Sequence, residues 1–341
     1  MTTSACILGC AGPALSPAEA AFFREIQPWG FILFRRNIET PDQVRALTSA
    51  LRATVDRSGA PVLIDQEGGR VQRLGPPHWR RYPPGRAYGR IAAADPLARR
   101  EITRLGARLM AHDLARLGIN VDCLPVLDVP DPEGHEIIGD RAYGDTPDDV
   151  AVLGRAAAEG LIAGGVLPVI KHIPGHGRAR ADSHLELPVV EASLADLEAR
   201  DFAPFRALSD MPMAMTAHVV YSALDFRRPA TTSRAVIKDT IRGAIGFDGL
   251  LISDDLSMKA LGGDFTQRAR ASLAAGCDVV LHCNGEMAEM RAVVAGTKAL
   301  AGRAAARAQA ALARLPKAAE PLDVEAAGAH FDTAFDGRWA A

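Results

Sequence analysis

Eight short apolar runs punctuate the chain: Cys6–Cys10, Phe31–Phe34, Val62–Ile64, Val121–Val126, Val166–Ile170, Met213–Thr216, Leu250–Ile252 and Asp278–His282. None alternates cleanly between apolar and polar positions, as expected of strands covered on both faces. Between the runs the period changes. Over Leu97–Leu117, Ile102, Leu105, Leu109 and Leu117 recur at helical spacing while arginines fill the other face, and Gly118 stands where a helix C-cap belongs. Further helix starts are signalled at Thr40-Pro41, at Thr146-Pro147, at Ser193 and at Thr232 or Ser233.

A strand followed by a helix, repeated eight times with short joints, predicts a parallel α/β sheet joined by right-handed crossovers. Closure into a (β/α)8 TIM-type barrel is the simplest solution, and 341 residues then read as a single catalytic domain over 1–341. The rival is an open doubly wound sheet, which usually shows a glycine-rich phosphate turn after its first strand. Gly9-Cys10-Ala11-Gly12-Pro13 does not match G-x-G-x-x-G. From about residue 300 the chain becomes an Ala- and Arg-rich helical tail with prolines, expected outside the barrel and away from the chemistry.

Composition narrows the function classes. A formal net charge of -2, with no basic stripe, argues against nucleic acid or a membrane surface as partner. No run approaches the roughly 18 apolar residues of a membrane span. The five cysteines (Cys6, Cys10, Cys123, Cys277, Cys283) form no CxxC pair and mostly lie in apolar runs, so they read as buried thiols in a reducing compartment, the cytoplasm. Ile7-Leu8-Gly9-Cys10 superficially resembles a lipoprotein box, but nothing basic precedes it. Neither an organic cofactor nor an obligate protein partner is implied.

Active sites of barrels lie at the C-terminal ends of the strands, so polar residues just after an apolar run are candidates for catalysis. Run three leads into Asp65-Gln66-Glu67, run four is followed by Asp140-Arg141, run five leads into Lys171-His172, run six into His218, and run seven into Ser253-Asp254-Asp255. Asp254 stands where an anionic side chain can face a developing cation, as a glycosidase nucleophile does, whereas Asp255 reads as structural. A capping role for either aspartate is the plain alternative. Lys171 through His184 holds three histidines and Asp182 on what its proline and two glycines predict to be a loop. Three readings stay open there: a metal site using His172 and His176, against which Pro174 and Gly175 argue; incidental histidines; or an acid/base dyad in Asp182-Ser183-His184. In the last, the carboxylate orients the imidazole and favours its protonated form.

Lys171-His172-Ile173-Pro174-Gly175-His176-Gly177, Asp182-Ser183-His184 and Ser253-Asp254-Asp255-Leu256-Ser257-Met258 closely resemble the signatures of the β-N-acetylglucosaminidases of glycoside hydrolase family 3. Ile64 through Leu74 resembles a fourth. The resemblance runs in order from run three to run seven, and in length the chain is similar to the single-domain Gram-negative branch. That likeness implies a retaining enzyme of cytoplasmic peptidoglycan recycling that removes N-acetylglucosamine from 1,6-anhydro-N-acetylmuramic acid, with or without peptide. It makes Asp254 the nucleophile, His184 the acid/base and Asp182 its orienting partner. It also implies that Asp65, Arg73, Arg141, Lys171 and His172 hold the sugar, and that no metal or cofactor is needed. Arg73 and Arg141 can instead be structural ion-pair partners. Two departures from the family pattern, Ile173 for Phe and Ala142-Tyr143 for Ser-Phe, bear on pocket shape. The functional alternatives are phosphate in place of water as acceptor, and a catalytically silent muropeptide-binding barrel.

Overall fold

The eight apolar runs become eight parallel strands that close on themselves. In the computed structural model, which describes residues 2–91 and 95–337, these are β1 (Ser4–Leu8), β2 (Pro28–Leu33), β3 (Val62–Ile64), β4 (Val121–Asp122), β5 (Leu167–Ile173), β6 (Met213–Thr216), β7 (Leu250–Asp255) and β8 (Val279–His282). Each strand pairs with the next and β8 returns to β1, so the sheet is a closed barrel and the open-sheet rival is excluded.

Neighbouring strands, more than composition, decide where each strand stops. β4 ends at Asp122 rather than Val126 because Pro125 has no N–H to give the ladder. Toward β3 one more ladder bond is made, from Cys123 N to Ile64 O at 2.8 Å, while toward β5 Leu124 O and Pro125 O still accept from Val169 N at 3.0 Å and Lys171 N at 3.1 Å. β5 runs three residues beyond Ile170, which corrects the expectation that Lys171 and His172 open a loop. Their backbone stays paired on both sides: Leu127 N donates to Lys171 O at 2.7 Å, and Ala217 N donates to Ile173 O at 2.9 Å. The loop starts at Pro174. β7 likewise continues through Ser253, Asp254 and Asp255, held by pairing of Asp255 with Leu281.

The helix expected over 97–117 spans Pro96–Ala115 and is capped by the Asp95 side chain, and Gly118 follows with φ +76°. Thr40, Thr146 and Ser193 cap helices through their hydroxyls, and Ser233 rather than Thr232 accepts from Val236 N at 3.2 Å. The helix Pro17–Ile26 had no expectation attached to it, although Ser16 and Glu19 form a capping box. After the barrel, helix Gly302–Leu312 is followed by Val324–Ala334, which packs on the outer face of Pro96–Ala115. All five cysteines are buried and free, and burial pushes the Cys6 and Cys10 thiols up to about 12. No helix among the described residues is long and apolar enough to cross a membrane.

Candidate active site

At the C-terminal mouth of the barrel a pocket of about 300 Å³ is lined by Asp65, Arg73, Arg141, Lys171, His172, His184 and Asp254. Its volume is at the small end for ligand pockets and suits a compact polar molecule. Of the eight residues singled out in the sequence only Asp182 is not on the wall, and it bonds directly to His184. A larger cavity of about 840 Å³ opens among Arg86, Asp131, Asp145 and Arg200, but none of the eight lines it. Its charges are already matched in Arg86–Asp145 and Arg178–Asp131.

One wall is a network of buried charge built around Lys171. Its inward side chain on β5 places Nζ 3.2 Å from Asp65 Oδ1 and 2.6 Å from Glu67 Oε1. Arg141 grips Glu67 through both oxygens at 2.8 and 2.9 Å, the fork geometry that guanidinium alone supplies, and Arg73 bonds Asp65 at 2.8 Å. Burial opposes ionisation of both acids. For Glu67 the nearby Arg141 and Lys171 outweigh burial and hold the carboxyl at about 2; for Asp65, Lys171 and Arg73 outweigh burial and keep the carboxyl well below its ordinary value. Lys171 is driven the other way: burial disfavours its charge, but Glu67 and Asp65 more than restore it. The wall is thus a fully ionised, preformed lattice with donors and acceptors facing the pocket.

Behind His172 lies Asp128, which neither the runs nor the motifs marked. Its Oδ2 lies 2.7 Å from His172 Nδ1, and its Oδ1 accepts the backbone N–H of His172 at 3.2 Å and of His176 at 2.6 Å. Burial works against its charge, and His172 then His176 keep it below its ordinary value. Nδ1 of His172 is therefore committed to Asp128, and Nε2 is left for the pocket. Gly175, with φ +132°, turns the chain between His172 and His176, so the two do not share a helical face. Glu67 stood among the polar residues after run three but was given no role of its own; Asp128 had no sequence signal beyond its place after run four.

Asp254 sits at the end of β7 with Oδ1 accepting the N–H of Asp255 at 2.8 Å. Burial raises its pKa, but His218 first and His172 second lower it further, and the net value is below normal. His218, one of the residues flagged at the strand ends, is wholly buried and lies 3.0 Å through Nε2 from Asp255 O, while Nδ1 lies 2.7 Å from Thr231 Oγ1. It holds the carbonyl of Asp255, the residue that follows Asp254 at the end of β7. Asp255 accepts from Ser257 N at 3.0 Å and Cys283 N at 3.1 Å, which fits the structural role expected of it.

Facing Asp254 is the turn after β5. Asp182 Oδ1 lies 2.8 Å from both the backbone N and the ring Nδ1 of His184, so the dyad closes on itself across two residues. Burial resists the Asp182 charge, but the His184 N–H and imidazole hold its pKa below the ordinary value. Of the departures from the family pattern, Ile173 is buried in β5 and Tyr143 is buried in the loop before the helix Pro147–Ala163, its ring 6.0 Å from that of Tyr88; neither lines the pocket.

Residues 16–317 match the family model described as the glycosyl hydrolase family 3 N terminal domain. The chain belongs to glycoside hydrolase family 3. A β-hexosaminidase of Methylococcus capsulatus is 42% identical over 277 residues, covering 80% of each chain, and one of Bordetella avium is 40% identical over 280 residues, covering 80% of this chain and 79% of the relative. Native NagZ from Neisseria gonorrhoeae superposes with a TM-score of 0.85 at 34% identity, covering 99% of this chain and 97% of that one. NagZ of the same organism has also been solved in complex with N-trifluoroacetyl-D-glucosamine, and superposes at 0.86 with 33% identity over 98% of both chains. This member of family 3 is a glycoside hydrolase, a β-N-acetylhexosaminidase, and its substrate is a sugar.

Proposed function

We propose that this family 3 enzyme removes β-linked N-acetylglucosamine from 1,6-anhydro-N-acetylmuramic acid, free or peptide-bearing, in cytoplasmic peptidoglycan recycling, with retention at the anomeric carbon. One observation carries the reading: an ionised carboxylate on a barrel strand, Asp254, shares a pocket with the imidazole of a self-contained Asp182–His184 dyad. Support for the sugar comes from the gonococcal relative, whose bound ligand is an N-acylated glucosamine.

In the first step an Asp254 oxygen bonds to C1 of the sugar as the C1–O bond to the leaving group breaks, and His184 gives the bridging oxygen its proton. In the second, water attacks C1, His184 takes a proton from it, and the bond from C1 to Asp254 breaks. Asp182 keeps the proton on Nδ1, so Nε2 is the nitrogen that exchanges it. Asp65, Arg73, Arg141, Lys171 and His172 hold the hydroxyls and the N-acetyl group. Because that lattice is built before the sugar arrives, little reorganisation is needed as charge develops.

Replacing Asp254 with Ala abolishes turnover while leaving the circular-dichroism spectrum and thermal midpoint in place. A fluorinated slow substrate followed by peptide mass spectrometry puts the adduct on Asp254; an adduct elsewhere, or product of inverted configuration, overturns the mechanism. The substrate is tested by comparing kcat/KM on the anhydro-disaccharide, with and without peptide, against chitobiose. A preference for chitobiose removes the recycling role.

A further inference from the structure

The turn that carries Asp182 and His184 touches the barrel through the residue between them. Ser183 is 3% exposed, whereas the His184 side chain is 59% exposed. The Ser183 hydroxyl lies 3.1 Å from Nε2 of His176, a ring that is itself buried and whose backbone N–H is fixed to Asp128. Burial first, and His172 second, lower this imidazole to about 4, so at neutral pH the contact joins an uncharged ring to a hydroxyl. The other ring nitrogen, Nδ1, is buried and finds no hydrogen-bond partner among the described residues. Ser183 thus takes the only side-chain hydrogen bond that the His176 ring nitrogens make among the described residues.

Among the described residues, little else holds the turn at this point. Ala260 N reaches Ser183 O at 3.3 Å and Lys259 N reaches His184 O at 3.4 Å, both long, and Leu185, Glu186 and Leu187 that follow are exposed. Asp128 meanwhile grips both His176 and His172, so the seat of Ser183 is continuous with the pocket wall.

We infer that Ser183 and His176 form a docking contact that seats the acid/base turn against the barrel, making both of them positioning residues for proton transfer by His184. The inference rests on His184 being the acid/base. Without the contact Asp182 still orients the imidazole, but the dyad as a unit is no longer held at a fixed distance from the bond being cleaved, and misplacement of this kind weakens catalysis without touching the nucleophile. The loss falls on substrates whose leaving group needs a proton.

The test compares kcat/KM, which reports glycosylation, for an alkyl and a 2,4-dinitrophenyl β-N-acetylglucosaminide in Ser183→Ala, His176→Asn, the double variant and His184→Ala. For S183A the expected loss is about 10-fold on the alkyl glycoside, the scale of one buried hydrogen bond, and within about twofold on the activated one. The double variant loses no more than the worse single variant, because both remove one contact. Equal losses by S183A on the two substrates, no loss on either, or additive losses in the double variant overturn the docking contact. If H184A is selective for the alkyl glycoside while S183A is not, the contact fails and the acid/base reading survives. If H184A itself shows no selectivity, that reading falls and the docking contact with it.

Discussion

Lys171 shows how one side chain can organise a wall of charge. Its ammonium lies between two carboxylates and the side chain is only 3% exposed, a position tolerable only because Asp65 and Glu67 compensate it fully. Glu67→Gln leaves Lys171 and Arg141 short of one negative charge in a place water hardly reaches. We expect it to lower unfolding free energy by about 3–5 kcal/mol in denaturant titrations at pH 7. The pH dependence has a definite sign. The folded-state value of Glu67, about 2, lies below its ordinary 4.5, so its stabilising contribution is complete above that ordinary value and fades as pH falls toward 2. The gap between wild type and E67Q should therefore narrow from pH 7 to pH 3; a gap that widens on acidification contradicts the lattice. Asp254 is depressed in the same direction, so acidification from pH 7 to pH 5 does not remove its charge, and any activity lost in that interval belongs to another group.

The element that matters most is β5 with the turn that follows it. One continuous stretch supplies Lys171 and His172 from the strand, and Asp182, Ser183 and His184 from the turn, so a rigid part and an exposed part of the site share a covalent connection. Between them Gly177 passes so close to the fourth β/α loop that a Cβ would lie 1.9 Å from Val129 O. Backbone on both sides leaves no room to yield. Gly177→Ala should cost about 2 kcal/mol or more, seen as a lower calorimetric midpoint, and should weaken activity through displaced Asp182 and His184; full activity at an unchanged midpoint would refute the close approach. At this scale the strand cores were legible, since Val62–Ile64 and Met213–Thr216 coincide with the apolar runs, while the ends of β5 and β7 were not. Polar residues such as Lys171 and Asp254 carry no strand signal of their own. They are extended because parallel neighbours accept and donate to their backbone.

For the molecule as a whole, the barrel is braced at one flank by the helix Val324–Ala334. Phe331 is fully buried, with its ring 6.2 Å from those of Tyr82 and Tyr88, in a recess that Gly106 opens by lacking a Cβ, which would lie 2.7 Å from Phe331. Tyr82 and Tyr88 belong to the segment that follows the Asp65–Arg73 hairpin, so the terminal helix supports the site from a distance. Phe331→Ala should lower unfolding free energy by about 3–5 kcal/mol while kcat and KM at low temperature stay at wild-type values. A large change in KM would instead mean that this flank shapes the pocket.

What the sequence determined alone was the kind of fold and most of the cast. Eight apolar runs separated by helical stretches specify a two-sided parallel sheet, and the polar residues that follow those runs are brought to one mouth by any closed arrangement of it. Tertiary structure decided the partnerships. That Glu67 neutralises Arg141 and Lys171, that Asp128 orients His172, and that Ser183 meets His176 depend on segments up to 104 residues apart along the chain (171 − 67) being packed within hydrogen-bond distance. Periodicity reports which face of an element is apolar, but a charge acquires its state from the groups that burial places beside it, and those are named only when the barrel closes.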